Sequence, residues 1–140
     1  MKRPQGKRSR PEKVSNAIKL LYLTVILGVI NVILMTPSSL QQIASSGFGI
    51  GFLIFVDIFV FAFMVFFIYM IAKGKNWARI IFLIIFIIGI PFSIPLWLQL
   101  LSTNLISGIL NISQTVLQII ALVFLFQKSS SNWFKLMKVK

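Results

Sequence analysis

From Ile50 to Ala72 the chain runs 23 residues with one charged side chain, Asp57, and no proline. At ~1.5 Å rise per residue a helix of that length covers the ~30 Å hydrocarbon layer of a bilayer. A soluble domain could bury such a helix only behind polar-backed partners, and this chain has too few polar residues to supply them. Hydrophobic residues make up 58% of its 140 positions and charged residues 11%, against about 25% charged in an ordinary globular domain. An integral membrane protein is expected.

Three further apolar stretches have the same character, and spans are expected at about 14–36, 50–72, 77–98 and 104–126. The first follows a basic start, as a secretory signal does, but its apolar run exceeds the ~7–15 residues of a signal core. It ends in Thr36-Pro37 without a small-residue cleavage site, so an uncleaved span is expected. Residues 1–13 carry six basic side chains, two prolines and Glu12, a composition for a disordered basic arm. Residues 37–48 read as a neutral loop, and Gly47 and Gly51 as a flexible helix entry rather than a dimer motif. Residues 99–103 read as a neutral turn, and 127–140 as a basic amphipathic tail with Trp133 and Phe134 at the interface.

The net charge of +12 raises nucleic acid as a partner, but the fourteen basic residues flank the spans. Seven lie in the N-terminal arm with Lys19, three in the 73–79 turn and four in the tail, while 37–48 and 99–103 hold none. Cytoplasmic loops of membrane proteins concentrate Lys and Arg in this way. The expected fold is therefore all-α: a polytopic membrane protein with four transmembrane helices in an antiparallel bundle and both termini cytoplasmic. Its expected place is the cytoplasmic (inner) membrane of a prokaryote. The expected partners are the bilayer, with anionic lipids at the cytoplasmic face, and a second copy or another membrane protein; nucleic acid is not expected.

Polar groups inside the spans are few and patterned. On the first span Ala17, Thr24, Gly28 and Asn31 share one helical face, the kind of small and polar surface that membrane helices turn to a neighbour. On the fourth, Asn104, Ser107, Asn111, Gln114, Thr115 and Gln118 recur every three or four residues, with Gly108 beside them. On the second, Phe48, Phe52, Phe55, Phe59, Phe63 and Phe66 line one side and Asp57 projects from nearly the opposite one. On the third, Pro91 and Pro95 each delete a backbone donor, freeing the carbonyls of Ile87 and Pro91. Counting inward from the neutral ends puts Asp57, Asn31, Pro91 and Asn111 at a similar depth. The expectation is one intramembrane polar site of Asp57, Asn31, Asn111, Gln114, Gln118 and Pro91, with Trp77, Trp97 and Trp133 as interfacial anchors.

A carboxyl in hydrocarbon costs about 2.5–3.5 kcal/mol on insertion scales and marks a functional position by default. Hydrogen-bonded to an amide it is equally a structural strut. No cysteine or histidine is present, and no second membrane carboxylate or G-x-S-x-G accompanies Asp57. Nucleophilic catalysis, metal sites and cofactors are therefore not expected, nor enzyme activity. Asn111-Ile112-Ser113 matches a glycosylation sequon but falls within a span.

Arg10-Pro11 with Val14, Ala17 and Leu20-Leu21, Asn76-Trp77-Ala78-Arg79, and the Trp133-Phe134-Lys135 tail resemble uncharacterised small four-span bacterial inner-membrane proteins. That resemblance covers most of the chain and carries no activity or site residues with it. Span number, length and one intramembrane acid also resemble the small multidrug-resistance transporters. Those place a glutamate in the first span, where this chain has no acid, and their dual-topology members have nearly balanced loop charge. The functional expectation is a non-catalytic accessory, scaffold or interaction subunit; the alternative is a small oligomeric proton-coupled transporter or channel using Asp57.

Overall fold

The computed structural model describes residues 9–47 and 49–138, with the side chains of 35–40, 42–44, 46, 50 and 53 left aside. Residues 1–8 of the expected basic arm, Phe48, and the last two residues of the tail lie outside the described residues. The described chain is helical: α1 (Glu12–Ser46), α2 (Ile50–Ala72), α3 (Asn76–Thr103), α4 (Leu105–Leu125) and α5 (Lys128–Lys138). Four of these helices are long and apolar enough to cross a membrane.

Two expected loops are helix instead. α1 runs on through Pro37 to Ser46, where Gly47 at φ 75° closes it in the left-handed conformation that glycine adopts without strain. Its 35 residues span ~52 Å, well beyond the hydrocarbon thickness. The extra turns carry Gln41, a good helix former whose exposed side chain needs no apolar neighbour. α3 likewise continues through 99–103, where the hydroxyls of Ser102 and Thr103 both donate to the Gln99 carbonyl, 2.7 and 2.9 Å. Asn104 then turns the chain by itself: its backbone is extended at φ −146° and its side chain accepts from the Ser107 N–H.

α1 packs most extensively against α4, and α4 against α3, while α2 meets α1 and, more sparingly, α3. The start of α1 meets the end of α2, where the Arg10 guanidinium donates to the Ala72 carbonyl at 2.8 Å. The start of α3 meets the end of α4 through Arg79 and Leu125. All described basic residues gather at this charged end, and the apolar core gathers there too. Ala17, Leu21, Ile68, Ile71, Leu125 and Phe134 are fully buried in one continuous cluster.

The helix α5 completes that cluster. Trp133 and Phe134, expected at the membrane interface, are buried inside the bundle end instead, their rings edge to face with centroids 5.0 Å apart. The reason is local: Phe126 closes α4, and the Ser130 hydroxyl of α5 donates back to the Phe124 carbonyl at 2.6 Å. Met137 and Trp133 then fill the space above Gly74, where an added Cβ would lie 2.7 Å from the Met137 Cγ. Gly74, at φ 84°, thus serves both the α2–α3 turn and the seat of α5.

Candidate functional site: the polar seam and the face of Asp57

The small face of α1 and the polar stripe of α4 form the central seam. Gly28 makes the approach feasible: a Cβ there would meet Phe61 of α2 at 2.9 Å and the Gln114 Nε2 at 3.1 Å. With no side chain in the way, the Gln114 amide donates to the Thr24 carbonyl at 3.1 Å. The Thr24 hydroxyl donates to its own Leu21 carbonyl at 2.6 Å. On α4, Asn111 donates to Ser107 O and Thr115 to Asn111 O, so most of the stripe satisfies itself along its own helix. The opposite side of α4, with Ile106, Ile109, Val116 and Val123, faces outward.

Towards the neutral end the seam is less well paired. Asn31 and Ser107 are buried, yet the Asn31 Oδ1 and the Ser107 Oγ have no hydrogen-bond partner among the described residues. Buried polar atoms in membrane proteins are normally paired, so this is where the bundle's polarity is least satisfied. Gly108 packs beneath it, its position only 3.0 Å (as an added Cβ) from the Leu101 backbone nitrogen in the last turn of α3.

A second feature is a half-enclosed cavity of about 420 Å³ between α2, α3 and α4. Phe63, Met64, Phe67, Phe86 and Ile90 make its walls, and Ser93, Trp97, Thr115 and Gln118 are its polar-bearing members. Ser93 and Thr115 spend their hydroxyls on backbone carbonyls of their own helices. Gln118 thus belongs to this cavity and not to the seam that holds Gln114. Trp97 lines it as well, while Trp77 is exposed against Phe66 and Phe67 at the charged end.

Asp57 joins neither feature. Every described residue from Gly51 to Val60 is exposed, Asp57 included, and packing of α2 begins only at Phe61. The expected convergence of Asp57 with Asn31 and Asn111 is therefore corrected. Rotation about α2 is not the cause, because Asp57 leads the stripe of Phe61, Met64, Ile68 and Ile71 that packs further down. The helix simply carries that stripe past its last neighbours. Pro91 is also exposed, beside Phe92 on the outer side of α3, so it contributes no wall to the seam. The aromatic ladder does lie outward: Phe55, Phe59 and Phe63 stack in sequence with centroids 6.4 and 6.1 Å apart.

One residue of consequence went unread in the sequence except as a topology charge. Arg79 is buried, with its Nε donating to Asn76 Oδ1 (2.6 Å) and its Nη1 donating to Leu125 O (2.7 Å) and Ser131 Oγ (3.2 Å). Phe126 and Phe134 sit over its guanidinium at 4.7 and 4.5 Å. Among the described residues no carboxylate balances it; the carbonyl end of α4 does, as the negative end of a helix dipole can. Its sequence signal is position: an arginine three residues inside a span must find acceptors on other helices.

No family model, curated protein or solved structure matches this chain.

Proposed function

We propose that the protein is a non-catalytic membrane component that acts by contact, and that the neutral-end half of α2 is the surface through which it acts. The exposed Asp57 carries this reading. A lone carboxyl on an apolar helix side is costly in oil, and that cost falls when a neighbouring transmembrane helix brings a hydrogen-bond donor to it. Ile54 and Val60, exposed one turn to either side of Asp57 on the same face of α2, offer such a helix an apolar surface around the carboxyl. The partner is a transmembrane helix with a polar side chain at Asp57's depth, from another membrane protein; a second copy of this chain is the other outcome of the test. The charged end faces the cytoplasm of a prokaryotic cell, with both termini on that side, because the basic residues lie at that end. A reporter fused after Ser45 would then be silent in the cytosol, and cytosolic signal from it would reverse the orientation.

The rival reading is proton-coupled transport. The cavity between α2, α3 and α4 favours it, since Val60, one turn from Asp57, is among its walls. Purified protein reconstituted in vesicles under a proton gradient separates the two. Contact predicts no Asp57-dependent proton flux, and Asp57→Asn leaves partner capture within about twofold because the amide still hydrogen-bonds. Flux that Asp57→Asn abolishes would establish transport instead.

A further inference from the structure

At the charged end the α2–α3 turn and α5 enclose a groove of about 630 Å³, lined by Lys73, Lys75, Asn76, Trp77, Ile80 and Lys138. Three lysines line it, the Lys73 ammonium lying over the Tyr69 ring at 4.6 Å, and neither acidic residue of the chain does. The same groove holds the start of α3, which has no acidic residue in its first turn and no side-chain cap. A helix start left in this state presents the N–H groups of Asn76 and Trp77 and a partial positive charge, the Ala78 N–H being bonded to the Lys75 carbonyl at 3.1 Å. On their own such donors define nothing; beside three lysines in a shaped groove they complete a site for a phosphate.

The remaining walls specify what the phosphate is attached to. Trp77 and Ile80 are 44% and 40% exposed, and Ile81 and Ile84 continue the outward apolar strip along α3. Tryptophan in such a position sits at head-group level in a bilayer. The groove therefore grades from cationic to aromatic to aliphatic in the direction that a lipid does. A free anion would leave the aliphatic part uncovered. The walls are also fixed: Met137 and Trp133 rest on Gly74, and Trp133 and Phe134 anchor α5 in the core, which holds Lys138 across from Lys73 and Lys75.

We propose that this groove binds one anionic diacyl phospholipid. Its phosphate lies among Lys73, Lys75, Lys138 and the first N–H groups of α3, and its chains descend beside Trp77 and Ile80. The proposal rests on the charged end lying at a leaflet surface, though not on which leaflet, and a binding measurement in detergent is independent of orientation.

The test uses the full chain purified in a neutral detergent, with retained lipid read by native mass spectrometry and stability by thermal melting. Phosphatidylglycerol is expected to remain bound one per chain and raise the melting temperature, whereas phosphatidylcholine and inorganic phosphate do neither. K73Q/K75Q/K138Q is expected to weaken phosphatidylglycerol binding by at least about tenfold, from the loss of three lysine attractions. K13Q/K19Q/K128Q removes the same charge from exposed positions outside the groove and is expected to bind as the parent does. Equal loss in both triple variants would overturn the site, leaving only net-charge attraction. Equal retention of phosphatidylcholine, or displacement of the lipid by inorganic phosphate, would overturn the ligand. Helicity by circular dichroism checks that both variants are folded.

Discussion

At the charged end of the bundle Leu21, Ile68, Ile71, Leu125 and Phe134 are fully buried, and Arg79 ties α3 to the end of α4. At the neutral end the first ten residues of α2 bury no described side chain, and the buried groups are Asn31, Leu100, Ser107 and the close-packed Gly108. One end is a dense apolar core; the other is a narrow polar seam beside an unpartnered helix face. Lipid tails are as apolar as leucine, so burying a side chain between helices brings no hydrophobic gain in the membrane. What fixes the charged end is van der Waals density and directed hydrogen bonds. The neutral end, with less of both, is the part left available for another helix.

This contrast can be broken by substitution. Phe134→Ala empties a fully buried position, and is expected to cost about 3–5 kcal/mol in unfolding by sodium dodecyl sulfate titration. The comparable truncation on the exposed ladder, Phe59→Ala, is expected to stay within about 0.5 kcal/mol. Equal costs would mean that the two ends are packed alike.

Arg79→Met is next, at about 3 kcal/mol, because Leu125 O, Ser131 Oγ and Asn76 Oδ1 lose a charged donor together. Arg79→Lys is expected to recover little, since an ammonium cannot reproduce the fork between Asn76 and Leu125 or the stack on Phe126 and Phe134. Full recovery by lysine would reduce Arg79 to a topology charge. Smaller again is Gly28→Ala, at about 1–2 kcal/mol, from the clash with Phe61 and the Gln114 amide. Gln114→Leu should cost about 0.6 kcal/mol, the usual size of one interhelical bond in a membrane. In the Gly28→Ala background Gln114→Leu should cost less still, as the bond to Thr24 is already displaced.

Much of the fold is legible in the residues. The stripe of Asn104 to Gln118 and the small face of Ala17, Thr24, Gly28 and Asn31 stand out at helical spacing because polar and small side chains have a reason to avoid lipid. Helix ends are less legible: Gln41 and Ser102 are as compatible with helix as with loop once outside the oil. On α2 the stripe led by Asp57 can be read, but not the point at which neighbours cease to cover it. Ile, Phe and Val are equally content against lipid or protein, so nothing in α2 announces where packing stops. Arg79's partners lie 46 and 52 residues away along the chain, at Leu125 and Ser131. Such a latch is visible only when α5 has folded back, and the same holds for Trp133, placed in the core by Gly74.

The chain contains no cysteine, so one cysteine carrying a photoactivatable cross-linker can be placed anywhere without interference. The measurement that bears most directly on the contact reading puts it at Ile54, one turn from Asp57, in native membranes. A matched control goes at Ile119 on the outward side of α4. The expected result is a discrete protein adduct from position 54, lost when Asp57→Leu is added, with lipid adducts alone from position 119. Lipid adducts alone from position 54, or a protein adduct indifferent to Asp57→Leu, would contradict it.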